Sequence, residues 1–108
     1  MGANKMNQHI DMQEVTKKID LLDGSSVVLL DRLAKEKIYG RLDCARNIYL
    51  VNARGEIIWQ VETNFDTDSG PFTNIFADKA GIKGYRWDGG TYLIDKINGR
   101  ATPVSLMR

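Results

Sequence analysis

The stretch Asp66-Thr67-Asp68-Ser69-Gly70 carries carboxylates at alternate positions, the way a calcium-binding loop begins. Such a loop needs a further oxygen donor at its fifth position and a bidentate glutamate at its twelfth. Gly70 and Ala77 stand there instead, so the stretch reads as a polar turn before Pro71 and no metal is expected. His9 is the only histidine and lies in a polar, unpatterned N-terminal stretch. General acid–base work would need it rigid and within reach of a reacting group. Cys44, the single cysteine, stands beside Ala45 and Arg46. A neighbouring guanidinium favours a thiolate, but without a base in prospect the reading is a structural thiol. No phosphate-binding glycine motif and no Cys/His cluster at metal spacing occurs. No catalytic residue and no cofactor is expected, so the chain reads as a non-enzyme.

Three sets of residues remain as interaction candidates. Lys37, Tyr39 and Arg41 alternate onto one face if their segment is a strand. Lys83, Tyr85, Arg86 and Trp87 form a second basic-aromatic set. Exposed aromatics flanked by cations stack bases in single-strand binders, while the plainer reading puts Tyr85 and Trp87 in the core. Phe65 and Phe72 flank a polar loop, where large apolar groups either fold under a sheet or meet a partner. Fifteen basic against fourteen acidic residues leave a net charge of +1, which offers no long-range steering towards nucleic acid or anionic lipid.

A chain of 108 residues is expected to make one domain. Residues 1–10 read as a disordered tail, 11–108 as a single β domain. Met12, Val15, Ile19 and Leu22 fall at helical spacing, with Asp11 as cap, Glu14 three residues on and Gly24 as stop. These predict a short helix over 11–23. Beyond Gly24 the period is two. Strands are expected at 26–33, 37–43, 47–52 and 56–62, then at 72–78, 81–87, 91–95 and 101–107, with 63–71 the longest loop. Trp59 and Tyr92 are placed in the core. The longest aliphatic run, Val27 to Leu30, is far too short to cross a bilayer, and residues 1–15 lack the apolar core of a signal peptide. A soluble, cytoplasmic protein without membrane contact is the expectation.

The two groups of strands form an internal repeat, 26–62 and 72–107. Ile48-Tyr49-Leu50-Val51-Asn52 aligns with Thr91-Tyr92-Leu93-Ile94-Asp95, Gly55 with Gly99, and Val28–Asp31 with Ile75–Asp78. The period matches a four-stranded propeller blade. The segments NIYLVNARGEIIWQV and TYLIDKINGRATPVSL resemble the strand–turn–strand of the quinoprotein-type propeller repeat, with Ile58-Trp59 as its aliphatic-Trp pair in the first unit. The resemblance implies fold only, because quinoprotein cofactor residues come from many blades and none maps onto this chain.

Two blades cannot close a ring, so their apolar faces must be covered by a sandwich, a partial barrel, the helix or a second copy. The fold class is mainly β: two successive four-stranded antiparallel meanders with a short N-terminal helix. The expected function is a small binding module that self-associates as a homodimer, with the 63–72 loop, Phe65 and Phe72 at or near the contact. Tyr39, Arg41 and Tyr85 are the other expected contact residues. The alternatives are a small-molecule pocket protein without catalysis and a single-stranded nucleic-acid binder.

Overall fold

The computed structural model describes residues 8–105. Strands β1 (Val15–Asp20), β2 (Ser26–Leu30), β3 (Ile48–Val51) and β4 (Ile57–Gln60) form one antiparallel sheet in that order. Strands β5 (Phe72–Asp78), β6 (Gly81–Arg86), β7 (Thr91–Ile94) and β8 (Ala101–Ser105) form the other. The two expected meanders are present. The disordered tail expected at 1–10 lies outside the described residues up to residue 7. Beyond it Ile57 N donates to Gln8 O and Ile10 N to Gly55 O, tying this segment to β4.

The N-terminal helix is replaced. Only Met12–Glu14 makes a single 3-10 turn, capped by Asp11, and the chain then runs extended as β1. A bulge between Val15 and Lys17 changes the strand's parity. Val15 therefore joins the cluster on one face of the sheet, while Ile19 joins that on the other. A spacing of four, which reads as one face of a helix, here serves both faces of a strand.

The strand expected at 37–43 is also replaced. β2 pairs directly with β3, Val28 opposite Tyr49, so the hairpin position is already filled. Residues 31–47 instead make an excursion of two short helices, α1 (Glu36–Tyr39) and α2 (Arg41–Ala45), broken at Gly40. Lys37, Tyr39 and Arg41 consequently do not alternate along a strand. The first strand of the repeat is β1, so Val28–Asp31 is not the counterpart of Ile75–Asp78, whereas the match of β3 with β7 holds.

One core lies between the sheets, built from Val27, Leu29, Ile48, Leu50, Trp59 and Val61 against Phe72, Ile75, Ile82, Tyr92, Ile94 and Ala101. Trp59 and Tyr92 are core residues as expected, and the Trp59 indole donates to Lys96 O at 2.8 Å. Gly84 belongs to this packing. A Cβ there would stand 2.9 Å from both Ile48 Cδ1 and Phe72 Cδ1, so the sheets meet over bare backbone.

The sheets stack in the same sense. β5 lies beside β1, and Glu62 and Arg100 form a parallel bridge where β4 leads towards β8. The equivalent tyrosines agree: Tyr92 points into the gap, Tyr49 out of the far side. That far side is covered, since Val28, Leu30, Tyr49 and Val51 pack with Ile10, Val15 and Ile57. The Tyr49 hydroxyl accepts from Gln60, which also donates to Asp43 of α2. Burial, reinforced by the Asp43 carboxylate, pushes the phenol up to about 12. The central strands of the first sheet are thus buried on both faces and the second sheet on one, as the continuous burial of β2 and β3 and the alternation of β6 record.

Replacing Trp59 with alanine is expected to cost about 3–5 kcal/mol, the range for large aromatic truncations in a core. Urea unfolding measures it. An unchanged midpoint would mean that the indole is not part of the packing.

Candidate functional site

The second sheet sends one charged side chain into the shared core. β6 alternates, with Ile82, Gly84 and Arg86 turned inward and Lys83 and Tyr85 outward. Arg86 is wholly buried, and each nitrogen of its guanidinium donates at least one hydrogen bond. Nη2 donates to Asp66 Oδ1 at 2.6 Å and to Ala45 O at 2.9 Å, Nη1 to Thr63 Oγ1 at 3.2 Å, and Nε to Gly70 O at 2.8 Å. It also lies over the rings of Phe72, at 4.3 Å, and Tyr92, at 4.9 Å.

Asp66 is the partner. It accepts from Thr63 N at 2.9 Å, Thr63 Oγ1 at 2.7 Å and Arg46 Nε at 2.8 Å besides Arg86. Burial alone would raise its pKa. The Thr63 N–H and the Arg46 and Arg86 guanidiniums outweigh that and hold the carboxyl below its ordinary 3.8. Asp66 is therefore engaged within the protein, as the reading of its stretch as a polar turn allows. Asn47, also buried, completes the tie. Its Nδ2 donates to Leu30 O and Phe72 O, and its Oδ1 accepts from Phe72 N at 2.8 Å.

These bonds lock the 63–71 loop and the end of α2 against the second sheet and fix what they present to solvent. Trp87 follows Arg86 and so points outward on the parity of Tyr85. It is 57% exposed, and its N donates to Pro71 O at 3.1 Å. The indole lies against Gly70, where any Cβ would overlap it. A shallow cleft of about 320 Å³ opens here, lined by Leu33, Glu36, Arg41, Asp68, Pro71 and Trp87 among others. Beyond it extends the outer face of the second sheet, with Phe76 and Leu93 half-buried, and Tyr85 and Val104 exposed at 39% and 52%.

The residues singled out from sequence are dispersed. Phe72 is buried edge-to-face on Tyr92, with ring centroids 5.4 Å apart, and Phe65 packs half-buried against the same core. Of the two outcomes expected for these phenylalanines, folding under the sheet is the one found. Tyr39 donates to Glu14 at 2.8 Å while Arg32 lies 3.8 Å above its ring, pinning α1 to the N-terminal turn. Hydrogen bonds from Arg32 and Tyr39 hold the Glu14 carboxyl below its usual range. Tyr85 stands on the outer sheet face and Arg41 at the rim of the Trp87 cleft. His9 lies 4.0 Å from Glu56 near the start of β4. Cys44 is buried, and burial pushes its thiol up, away from the thiolate a nucleophile requires. Trp87, weighed from sequence both as an exposed stacking residue and as core, is exposed, whereas the buried Arg86–Asp66 pair was missed. Alternation groups Tyr85 with Trp87, but it does not say which face is inside.

The chain belongs to the family described as Domain of unknown function (DUF7957), which matches residues 5–106. No curated protein and no solved structure matches it, so the resemblance to quinoprotein-type blades finds no counterpart in these comparisons. Among the described residues no helix is long and apolar enough to cross a membrane.

Asp66→Leu leaves the buried Arg86 without a counter-charge and is expected to cost about 3–5 kcal/mol, read by urea unfolding; Arg86→Met should cost less, because Asp66 keeps its ion pair with Arg46. The double variant should recover part of that loss, since no charge is then left unpaired. The pair also sets a pH dependence. The folded pKa of Asp66 lies below the unfolded one, so its contribution is complete above the unfolded value and lost as pH falls through the folded value. Melting temperature measured downwards from pH 5 should drop, and drop less in Asp66→Asn relative to that variant's own value at pH 5.

Proposed function

We propose that this chain is a small cytoplasmic interaction module without catalysis, and that two copies associate through the outer face of the second sheet. One observation carries the reading. By register, the face of the first sheet that holds the core corresponds to the face of the second sheet that faces solvent. Ile19, Val27, Leu29, Ile48, Leu50 and Trp59 have as counterparts Phe76, Lys83, Tyr85, Thr91, Leu93 and Thr102. Half of that apolar set is kept on a face that, among the described residues, stays partly open to solvent. Among the described residues this face is the open side of a two-sheet stack, in keeping with the blade resemblance.

The opposite end of the stack is closed by Ile10, Val15 and Ile57. Head-to-tail addition of copies is therefore blocked, and a two-fold pairing of second sheets is favoured. Edge-to-edge growth through β4 and β8 is opposed too. Gln8 and Ile10 occupy the start of β4, the Glu62–Arg100 bridge follows its end, and β8 carries Pro103. The single-stranded nucleic-acid reading has less support, because the Arg86 guanidinium is spent internally and Lys83 is paired with Asp78 at 2.8 Å. Four strands of about five residues give a footprint of roughly 300 Å² per copy. That is well under the ~800 Å² per partner of a standard interface, which supports a weak, concentration-dependent dimer.

Light scattering across a dilution series tests the proposal. The expected mass rises towards two chains at high micromolar concentration, and Val104→Glu keeps it at one chain with an unchanged melting temperature. A mass of one 12.2 kDa chain throughout would end the dimer reading. A dimer indifferent to Val104→Glu would move the contact to another surface.

A further inference from the structure

The Trp87 cleft lies beyond the end of β6, between the excursion of residues 31–47 and the 63–71 loop. Its indole lies against Gly70, and a backbone bond ties Trp87 N to Pro71 O. Glu36 and Asp68 line the cleft, and neither makes an ion pair among the described residues. Arg41 is the one basic residue in the lining, and Asp88 follows Trp87 in the chain. Leu33 and Pro71 supply apolar wall between these charges.

We propose that this cleft receives a cationic side chain, arginine or lysine, presented by an extended segment of a partner protein. The chemistry of the lining selects that occupant. An indole face attracts a cation through its quadrupole. Glu36 and Asp68 supply the counter-charge, and Leu33 and Pro71 take the methylene stem of a long basic residue. A phosphate would meet two carboxylates, which turns the cleft away from nucleic acid. Arg41, also in the lining, is the donor for carbonyls of the partner's backbone. The proposal deepens the interaction-module reading but does not need the homodimer, since the cleft lies at the rim of the outer sheet face.

The test follows the Trp87 indole N–H resonance in the ¹⁵N-labelled chain carrying Val104→Glu, which separates this site from self-association. The probes are blocked tripeptides Gly-Arg-Gly, Gly-Lys-Gly and Gly-Gln-Gly. Saturable shifts are expected for the two cationic peptides, with the glutamine peptide binding about fivefold more weakly. Glu36→Gln combined with Asp68→Asn should weaken the arginine peptide about threefold. Gly70→Ala, which displaces the indole without removing it, should abolish the response while the Trp59 indole signal stays in place and reports an intact fold. Equal binding of the glutamine peptide, undiminished binding by the neutralised variant, or saturation by oligothymidylate alone would each overturn the proposal. A Trp87 signal that moves with the concentration of the wild-type chain, and not with peptide, would assign the cleft to a second copy.

Discussion

A guanidinium with no access to solvent constrains every segment that approaches it. Arg86 needs its N–H groups answered inside the protein, and two separate pieces of chain supply the acceptors: Thr63, Asp66 and Gly70 of the 63–71 loop, and Ala45 at the end of α2. An isolated buried cation would cost far more than the fold as a whole can offset, so these segments cannot drift apart independently. The path of the 63–71 loop, the position of the end of α2 and the stacking of Phe72 and Tyr92 all follow. Replacing such a pair with apolar residues of similar shape often costs nothing in stability. Its value here is positional, because it holds a polar loop, which has few apolar contacts of its own, in one place.

That position matters for what the surface shows. The loop carries Gly70 and Pro71, and these set the pose of Trp87, the neighbour of the buried arginine. A single i, i+1 step thus joins the most constrained side chain of the second sheet to one of its most exposed. Rigidity beneath an exposed aromatic lowers the entropy lost when a partner settles on it. The two halves of the repeat also divide the work. The first sheet, its central strands covered on both faces, supplies stability. The second, covered on one, leaves a face and a cleft open to solvent.

The departure from an exact repeat comes from one connection. Between β6 and β7 the chain turns within residues 87–90, whereas between β2 and β3 it makes the excursion of residues 31–47. This insertion brings Glu14, Arg32 and Tyr39 together on one side and builds a wall of the Trp87 cleft on the other. Neither feature has a counterpart in the second unit.

How much of this was legible follows from the kind of information each feature needs. Period-two patterning and glycine turns placed β2 to β8 within a few residues, because strand alternation and turn chemistry are local. The matched strands Ile48–Val51 and Thr91–Ile94 disclosed two like meanders for the same reason, and Trp59 and Tyr92 were recognised as core. The segments that failed were those whose conformation depends on a distant partner. Val15 and Ile19 carry a spacing of four that suits a helix, and only pairing with β2 across a bulge makes them a strand. Lys37 to Asp43 alternates well enough for a strand, yet β3 had already taken the place beside β2. Tyr85-Arg86-Trp87 is the sharpest case. The sequence determines that the two aromatics share a face and that the arginine takes the other. Local preference would put the aromatics inside. The tertiary structure decided otherwise, because Asp66, Thr63 and two backbone carbonyls, remote in sequence, converge where a cation can be satisfied.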